Sequence, residues 1–195
     1  MPRRKNFALV SRAVVICSVV AAGYAPAVAQ DDPLRPDLAG HWELNRELSE
    51  NAQTALERMH SSQSDGHGPG RHGGFLGRLF GGGHDSQTEE ARARFLNAPT
   101  SFTLKQESDR IMLTESDGRA RTLTANGRKE RVNGRDVQTR WDKDRLVTET
   151  SLGNAKITET YERSTNLPRL TVTTKMEMRG HDVSVRRVYE AAVPR

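Results

Sequence analysis

RLVTETSLGNAKITETY, residues 145–161, places two runs of β-type residues on either side of Gly153-Asn154. Glycine and asparagine tolerate the positive φ of a two-residue turn, so the segment predicts an antiparallel hairpin. A turn at that pair sets Leu146 opposite Tyr161, Thr148 opposite Glu159 and Thr150 opposite Ile157 on one face. Val147, Glu149, Lys156, Thr158 and Thr160 go to the other. The face with Leu146, Ile157 and Tyr161 is the core side.

The same grammar extends in both directions. Asp109-Arg110, Asp117-Gly118, Asn126-Gly127, Asn133-Gly134, Lys143-Asp144, Leu167-Pro168 and Gly180-His181 punctuate the chain at short intervals. Between them alternate Phe102 and Leu104; Val137, Thr139 and Trp141; Leu170, Val172, Met176 and Met178; and Val183 and Val185. From Arg110 to Thr124 the inner face is ambiguous, since Ile111 and Leu113 compete with Met112 and Leu123. Successive hairpins of this kind predict a mainly β domain, an antiparallel up-and-down meander of about 8–10 strands closed into a barrel or strongly curled sheet. Surrendering half of its inward apolar side chains to a wet lumen, at about 2 kcal/mol each, would forfeit on the order of 20 kcal/mol. That exceeds the roughly 5–15 kcal/mol of net stability a domain has. Any pocket should therefore be small and mostly apolar.

Upstream, Gly40 to Asn45 alternates as a first strand. Leu48, Ala52, Ala55, Leu56 and Met59 then recur at helical spacing, with Asn45 or Ser49 as the cap, to about His60. Ser61 to Asp85 is rich in Gly, His and Ser, too poor in apolar surface to offset its ordering entropy. A second helix is expected from the capping-box spacing of Ser86 and Glu89, with Ala91 and Phe95 on one face and Pro99 closing it. The expected organisation is residues 30–38 as an irregular lead and 39–195 as a single β domain. Within that domain lie the first strand at 39–45, the helical and Gly/His-rich insertion at 46–98, and the meander at 100–190.

Residues 1–29 read as a secretory signal. Arg3, Arg4, Lys5 and Arg12 precede an apolar run from Ala13 to Ala22, and Ala27-Val28-Ala29 gives the cleavage site. Asn6 stands where a twin-arginine signal has a large apolar residue. The run falls short of the roughly 20 residues that span a bilayer. Cys17 is the only cysteine; Ile16 before it is too bulky for lipoprotein processing. Cleavage leaves no thiol, which excludes disulfides, cysteine nucleophiles and cysteine-ligated zinc. Those four basic residues also account for most of the net charge of +5, because 30 Lys and Arg then become 26 against 25 Asp and Glu. Without a basic patch interleaved with aromatics, nucleic acid is not the expected partner.

Gly40-His41-Trp42, the long meander and a closing Arg186-Arg187-Val188-Tyr189 together resemble the lipocalin-like (calycin) barrels. That resemblance implies that Trp42 closes one barrel end and that a last-strand arginine packs over it. Arg187, which shares parity with Val183, Val185 and Tyr189, takes that role, with Arg186 as the alternative. The chain is also similar to exported bacterial proteins of unassigned function, on the Trp-x-Leu-Asn start at Trp42 to Asn45, on Arg140-Trp141-Asp142 and on Leu146-Val147.

The residues expected at the barrel end and pocket are Trp42, Trp141, Glu159, Tyr161 and Arg187. A carboxylate facing a core must be paired or carry a raised pKa. Glu159 is therefore expected to pair with an inward arginine such as Arg187, or to lie exposed at a barrel end. The alternative site is metal bound weakly by His60, His67, His72 and His84, which lack the i, i+4 spacing of a preformed site. Phe75 to Phe80 is an apolar island that can touch a membrane or fold over an open end of the sheet, and its shortness favours the second.

No phosphate loop, nucleophile elbow or dinucleotide fingerprint occurs, so no cofactor is expected, and His181-Asp182 has no nucleophile beside it. The function expected is an exported, non-catalytic domain that binds a small apolar or amphipathic molecule or acts through its surface in the cell envelope. A metal-buffering protein is the alternative, and an envelope enzyme a further one.

Overall fold

The computed structural model describes residues 35–61 and 86–192, with the side chains of 59–61 left aside. The first strand, β1 (Gly40–Asn45), is followed by helices α1 (Ala52–Ser61) and α2 (Ser86–Leu96). Nine further strands complete the chain: β2 (Ser101–Glu107), β3 (Arg110–Glu115), β4 (Ala120–Thr124), β5 (Lys129–Val132), β6 (Arg135–Asp142), β7 (Arg145–Leu152), β8 (Ala155–Arg163), β9 (Arg169–Met178) and β10 (His181–Ala191). All join one antiparallel sheet in the order β4-β3-β2-β1-β10-β9-β8-β7-β6-β5. Among the described residues no helix is long and apolar enough to cross a membrane.

The hairpin at Gly153-Asn154 has the expected register, with Leu146 against Tyr161, Thr148 against Glu159 and Thr150 against Ile157. Gly153 has φ 58°, the left-handed conformation that its position requires. The turns at Ser108-Asp109 and Arg179-Gly180 fall one residue before the expected pairs. Ile111, Leu113 and Leu123 take the inner face, and Met112 is exposed.

One expected hairpin is absent. Asn126-Gly127 turns the chain, but β4 and β5 on either side of it are the two edges of the sheet rather than partners. Strands adjacent in sequence can be opposite edges only because the sheet curls until its edges meet along a seam. The linker between them is anchored to β6: Gly127 N donates to Thr139 O at 2.9 Å, and Gln138 Nε2 donates to Gly127 O at 2.7 Å.

Inside the curl, side chains sort into layers. At one end Leu38, Trp42, Phe102, Leu104, Ile111, Leu113, Leu146, Tyr161, Leu170 and Tyr189 form an apolar cluster. Leu38 belongs to the expected irregular lead, yet it is fully buried, and its carbonyl accepts a hydrogen bond from Trp42 Nε1 at 3.1 Å. At the other end α1 and α2 bring Ala52, Ala55, Leu56, Ala91 and Phe95 against Leu152, Ile157, Met176, Met178, Val183 and Val185. The helical insertion thus closes that end.

The cap of α1 differs from expectation. Asn51 Oδ1 accepts from Gln53 N at 2.8 Å and Thr54 N at 3.2 Å, so the helix starts later than Asn45 or Ser49 allows. Residues 46–50 do other work. Beyond the end of β1, Val188 N donates to Ser49 Oγ at 2.9 Å and Arg186 N to Glu50 Oε2 at 2.7 Å, so this turn takes up backbone donors that β1 leaves on β10.

Candidate functional site

Between the two apolar clusters lies a polar belt that follows from the strand register. Thr139, Thr148, Glu159 and Thr174 stand directly opposite one another across β6, β7, β8 and β9. The threonines are buried, and Thr139 and Thr148 satisfy each other through an Oγ1–Oγ1 hydrogen bond of 3.1 Å. A cavity of about 480 Å³ opens on the Glu159 and Thr174 side of this belt, bounded by α2 through Arg94, by Asn97 just past its end, by β4 through Arg121, and by Tyr161, Arg187 and Tyr189. The expectation of a mostly apolar pocket is thereby corrected. Residues of the first cluster, among them Phe102, Leu113 and Val172, wall one side of the cavity, while Glu159, Thr174 and the arginines make the rest of it polar.

Glu159 does not pair with Arg187. Arg121 reaches from the edge strand β4 across the interior, with Nη1 at 2.6 Å from Glu159 Oε2 and Nη2 at 2.9 Å from Oε1. The same Nη2 donates to Tyr161 Oη at 2.6 Å. Burial by itself would raise the Glu159 pKa, but the Arg121 charge, its hydrogen bonds, the charge of Arg94 and a Tyr161 hydrogen bond outweigh it and hold the carboxyl below the usual glutamate value. Burial pushes the Tyr161 hydroxyl well above its ordinary value, and moves Tyr189 up to about 12. Glu159 thus stays ionised, and both tyrosines stay protonated, across neutral pH.

Arg187 turns to α2 instead. Its Nη2 donates to Phe95 O at 2.5 Å and to Leu96 O at 3.3 Å, carbonyls that the helix leaves unpaired at its C-terminus and where the helix dipole favours a cation. Nη1 has only a long contact, 3.4 Å, with Thr174 Oγ1. Arg187 is 5% exposed, and among the described residues no carboxylate lies within ion-pair distance of it. Desolvation lowers its pKa, partly countered by Tyr189 and Glu159, though a guanidinium remains charged.

The arginine over Trp42 is Arg163, its guanidinium carbon 5.7 Å from the ring centroid, with Nη1 donating to Asp37 O. Trp42 pairs with Ala191 across β1 and β10, four residues past Arg187 and so about 13 Å further along the strand. Parity identifies the face of Arg187, but its height is wrong for Trp42.

Of the residues expected at the pocket, Glu159, Tyr161 and Arg187 line the cavity. Trp42 and Trp141 do not: Trp42 is buried in the far cluster, and Trp141 packs against that cluster with its Nε1 buried and unpartnered. The side chain of His60, and His67, His72, His84 and Phe75–Phe80 entirely, lie outside the described residues. Among the described residues no group of three His, Asp or Glu could hold a metal ion.

Arg121, Arg94, Thr174 and Tyr189 escaped sequence reasoning as site residues. A signal for Arg121 was present, because it shares parity with Leu123, and Leu113 and Ile111 face the two across β3.

No family model and no curated protein matches the chain. Among solved structures it is similar to the fluorescent protein UnaG, with 14% identity over 80% of this chain and 97% of that one and a TM-score of 0.46. It is also similar to a secretary abundant heat soluble protein from Ramazzottius varieornatus, with 14% identity, 80% and 95% coverage and a TM-score of 0.43. A third is the zebrafish ileal bile acid-binding protein complexed with cholic acid, with 12% identity, 79% and 98% coverage and a TM-score of 0.43.

Proposed function

We propose that this chain is an exported, non-catalytic binding protein that holds a small amphipathic molecule in the cavity between the two apolar clusters, with an anionic group of the ligand against Arg187. The observation that carries the reading is a buried guanidinium on a cavity wall, held among the described residues only by carbonyl and hydroxyl oxygens, with no carboxylate in ion-pair contact. A buried charge needs a partner, and an anion entering the cavity supplies one. The volume of about 480 Å³ lies within the roughly 300–1,000 Å³ typical of small-molecule sites. The apolar walls at Phe102, Leu113 and Val172 offer the ligand body a place to lie. The titration directions support binding over proton transfer, since neither Glu159 nor Tyr161 changes protonation near neutral pH.

Calorimetry with dodecanoate, and with dodecanol as its neutral counterpart, tests the reading. Dodecanoate binds more tightly than the alcohol, and Arg187→Gln weakens dodecanoate by roughly 10- to 100-fold, the loss of a charge-assisted hydrogen bond of about 1.5–3 kcal/mol, with little change for dodecanol. Equal affinities for acid and alcohol in the wild type, or an unaltered dodecanoate affinity in the variant, sink it.

Export rests on the basic head, the apolar run and Ala27-Val28-Ala29. N-terminal sequencing of protein recovered from the envelope or medium of an expressing bacterium should begin at Gln30. A chain retaining Met1 or Pro2 and found in the cytosol overturns it.

A further inference from the structure

Among the described residues, every arginine lining the cavity but one has a carboxylate partner. Arg94 is held by Glu90, which also holds Arg135 from outside the lining. Arg119 is held by Glu115 at 2.8 Å, and Arg121 by Glu159 at 2.6 Å. Among the described residues, Arg187 is the arginine on the cavity wall that has no carboxylate. Of the four guanidinium groups that face this space, three are already engaged by carboxylates and only that of Arg187 is open to a ligand. Glu159 occupies that of Arg121, presenting both oxygens in the fork geometry that a ligand carboxylate would use.

We infer that Glu159 is a specificity residue: by acting as a built-in anion for Arg121, it limits this cavity to ligands carrying a single negative charge and rejects those with two. The inference rests on the ligand reading above. A ligand anion at Arg187 leaves a second anionic group two choices. It can lie where the described residues offer no further free cation, or it can approach the Glu159 carboxylate, which stands directly across from Thr174, the hydroxyl that Arg187 touches. The first strands a desolvated charge and the second sets like charges side by side. Without the Glu159 charge, the Arg121 guanidinium becomes a second anion site, and the rejection turns into attraction. Specificity here comes from a repulsive element placed in the site as well as from an attractive one.

The test uses two probes with matched tails, dodecanoate and 2-decylsuccinate, titrated calorimetrically at neutral pH. Wild-type protein should bind the monocarboxylate at least about tenfold more tightly than the dicarboxylate, a difference of about 1.4 kcal/mol. In Glu159→Gln that ratio should shrink to unity or invert. In Arg121→Met, Glu159 is released to compete for Arg187, and dodecanoate affinity should fall at least about tenfold. Circular dichroism establishes that each variant is folded, and the wild-type ratio needs no variant at all. With dodecanoate binding intact, the inference is overturned by any of three results: equal wild-type affinities for the two probes, an unchanged ratio in Glu159→Gln, or undiminished dodecanoate binding in Arg121→Met. If the wild type binds 2-decylsuccinate but not dodecanoate, the inference fails while an anion site stands. If it binds neither, the ligand reading fails and this inference with it.

Discussion

Replacing Phe95 with alanine lowers the unfolding free energy by about 3–5 kcal/mol. Phe95 is fully buried on α2, one helical turn from the equally buried Ala91, and both face the apolar cluster formed by β7 to β10 with α1. Loss of the ring removes its transfer free energy and leaves a void. The void cannot readily collapse, because the residues around it, among them Ile157, Met176 and Val185, are fixed by continuous strand pairing. The backbone carbonyl that receives Arg187 survives the substitution, so stability should fall much further than ligand affinity. Urea denaturation followed by circular dichroism gives the value, with the midpoint moving and the slope unchanged. A loss below about 1 kcal/mol would mean that α2 is not a packed part of the domain.

Phe95 also marks what the sequence made legible. The Ser86–Glu89 spacing, the Ala91 and Phe95 face and Pro99 are local signals, and they locate α2 because helices are specified by neighbours three and four residues apart. The Gly153-Asn154 hairpin is equally local, and its register places Thr148, Glu159 and Tyr161 on the inner face without further information. Long-range pairing carries no such signal. Asn126-Gly127 has the chemistry of a hairpin turn whether its flanking strands pair or run to opposite edges, and only the curl of the whole sheet decides between them. The site suffers from the same limit. Parity gives the face a residue points to but neither its height nor its partner, so the inward direction of Glu159 and Arg187, and that of Arg121 through Leu123, could be read while the pairing of Arg121 with Glu159, made from an edge strand across the interior, could not. For the same reason Arg163, rather than Arg187, covers Trp42.

Replacing Arg121 with methionine should destabilise the domain by about 2–4 kcal/mol at neutral pH, somewhat below the 3–5 kcal/mol of a fully buried broken pair because some solvent reaches both groups. Arg121 ties the free edge strand β4 to β8, so its removal loses a brace across the seam and leaves the Glu159 carboxylate without its cation. The pH dependence separates these two losses. In the wild type the folded Glu159 pKa is depressed below the ordinary 4.5, so its contribution to stability is fully present above that value and is lost as pH falls through the lower, folded one. In Arg121→Met burial acts without the opposing cation and raises the pKa, reversing the sign: the penalty is greatest when the carboxyl is ionised and is relieved as it takes up a proton. The stability gap between the two proteins should therefore be widest near neutrality and narrow steadily once pH drops toward and below 4.5. What remains in acid is the uncharged part of the brace, including the hydrogen bond to Tyr161. Denaturation curves for both proteins between neutral and strongly acidic pH measure the gap directly. A gap that stays constant across that range would show that the pair contributes through packing alone and that Glu159 carries no functional charge in the folded protein.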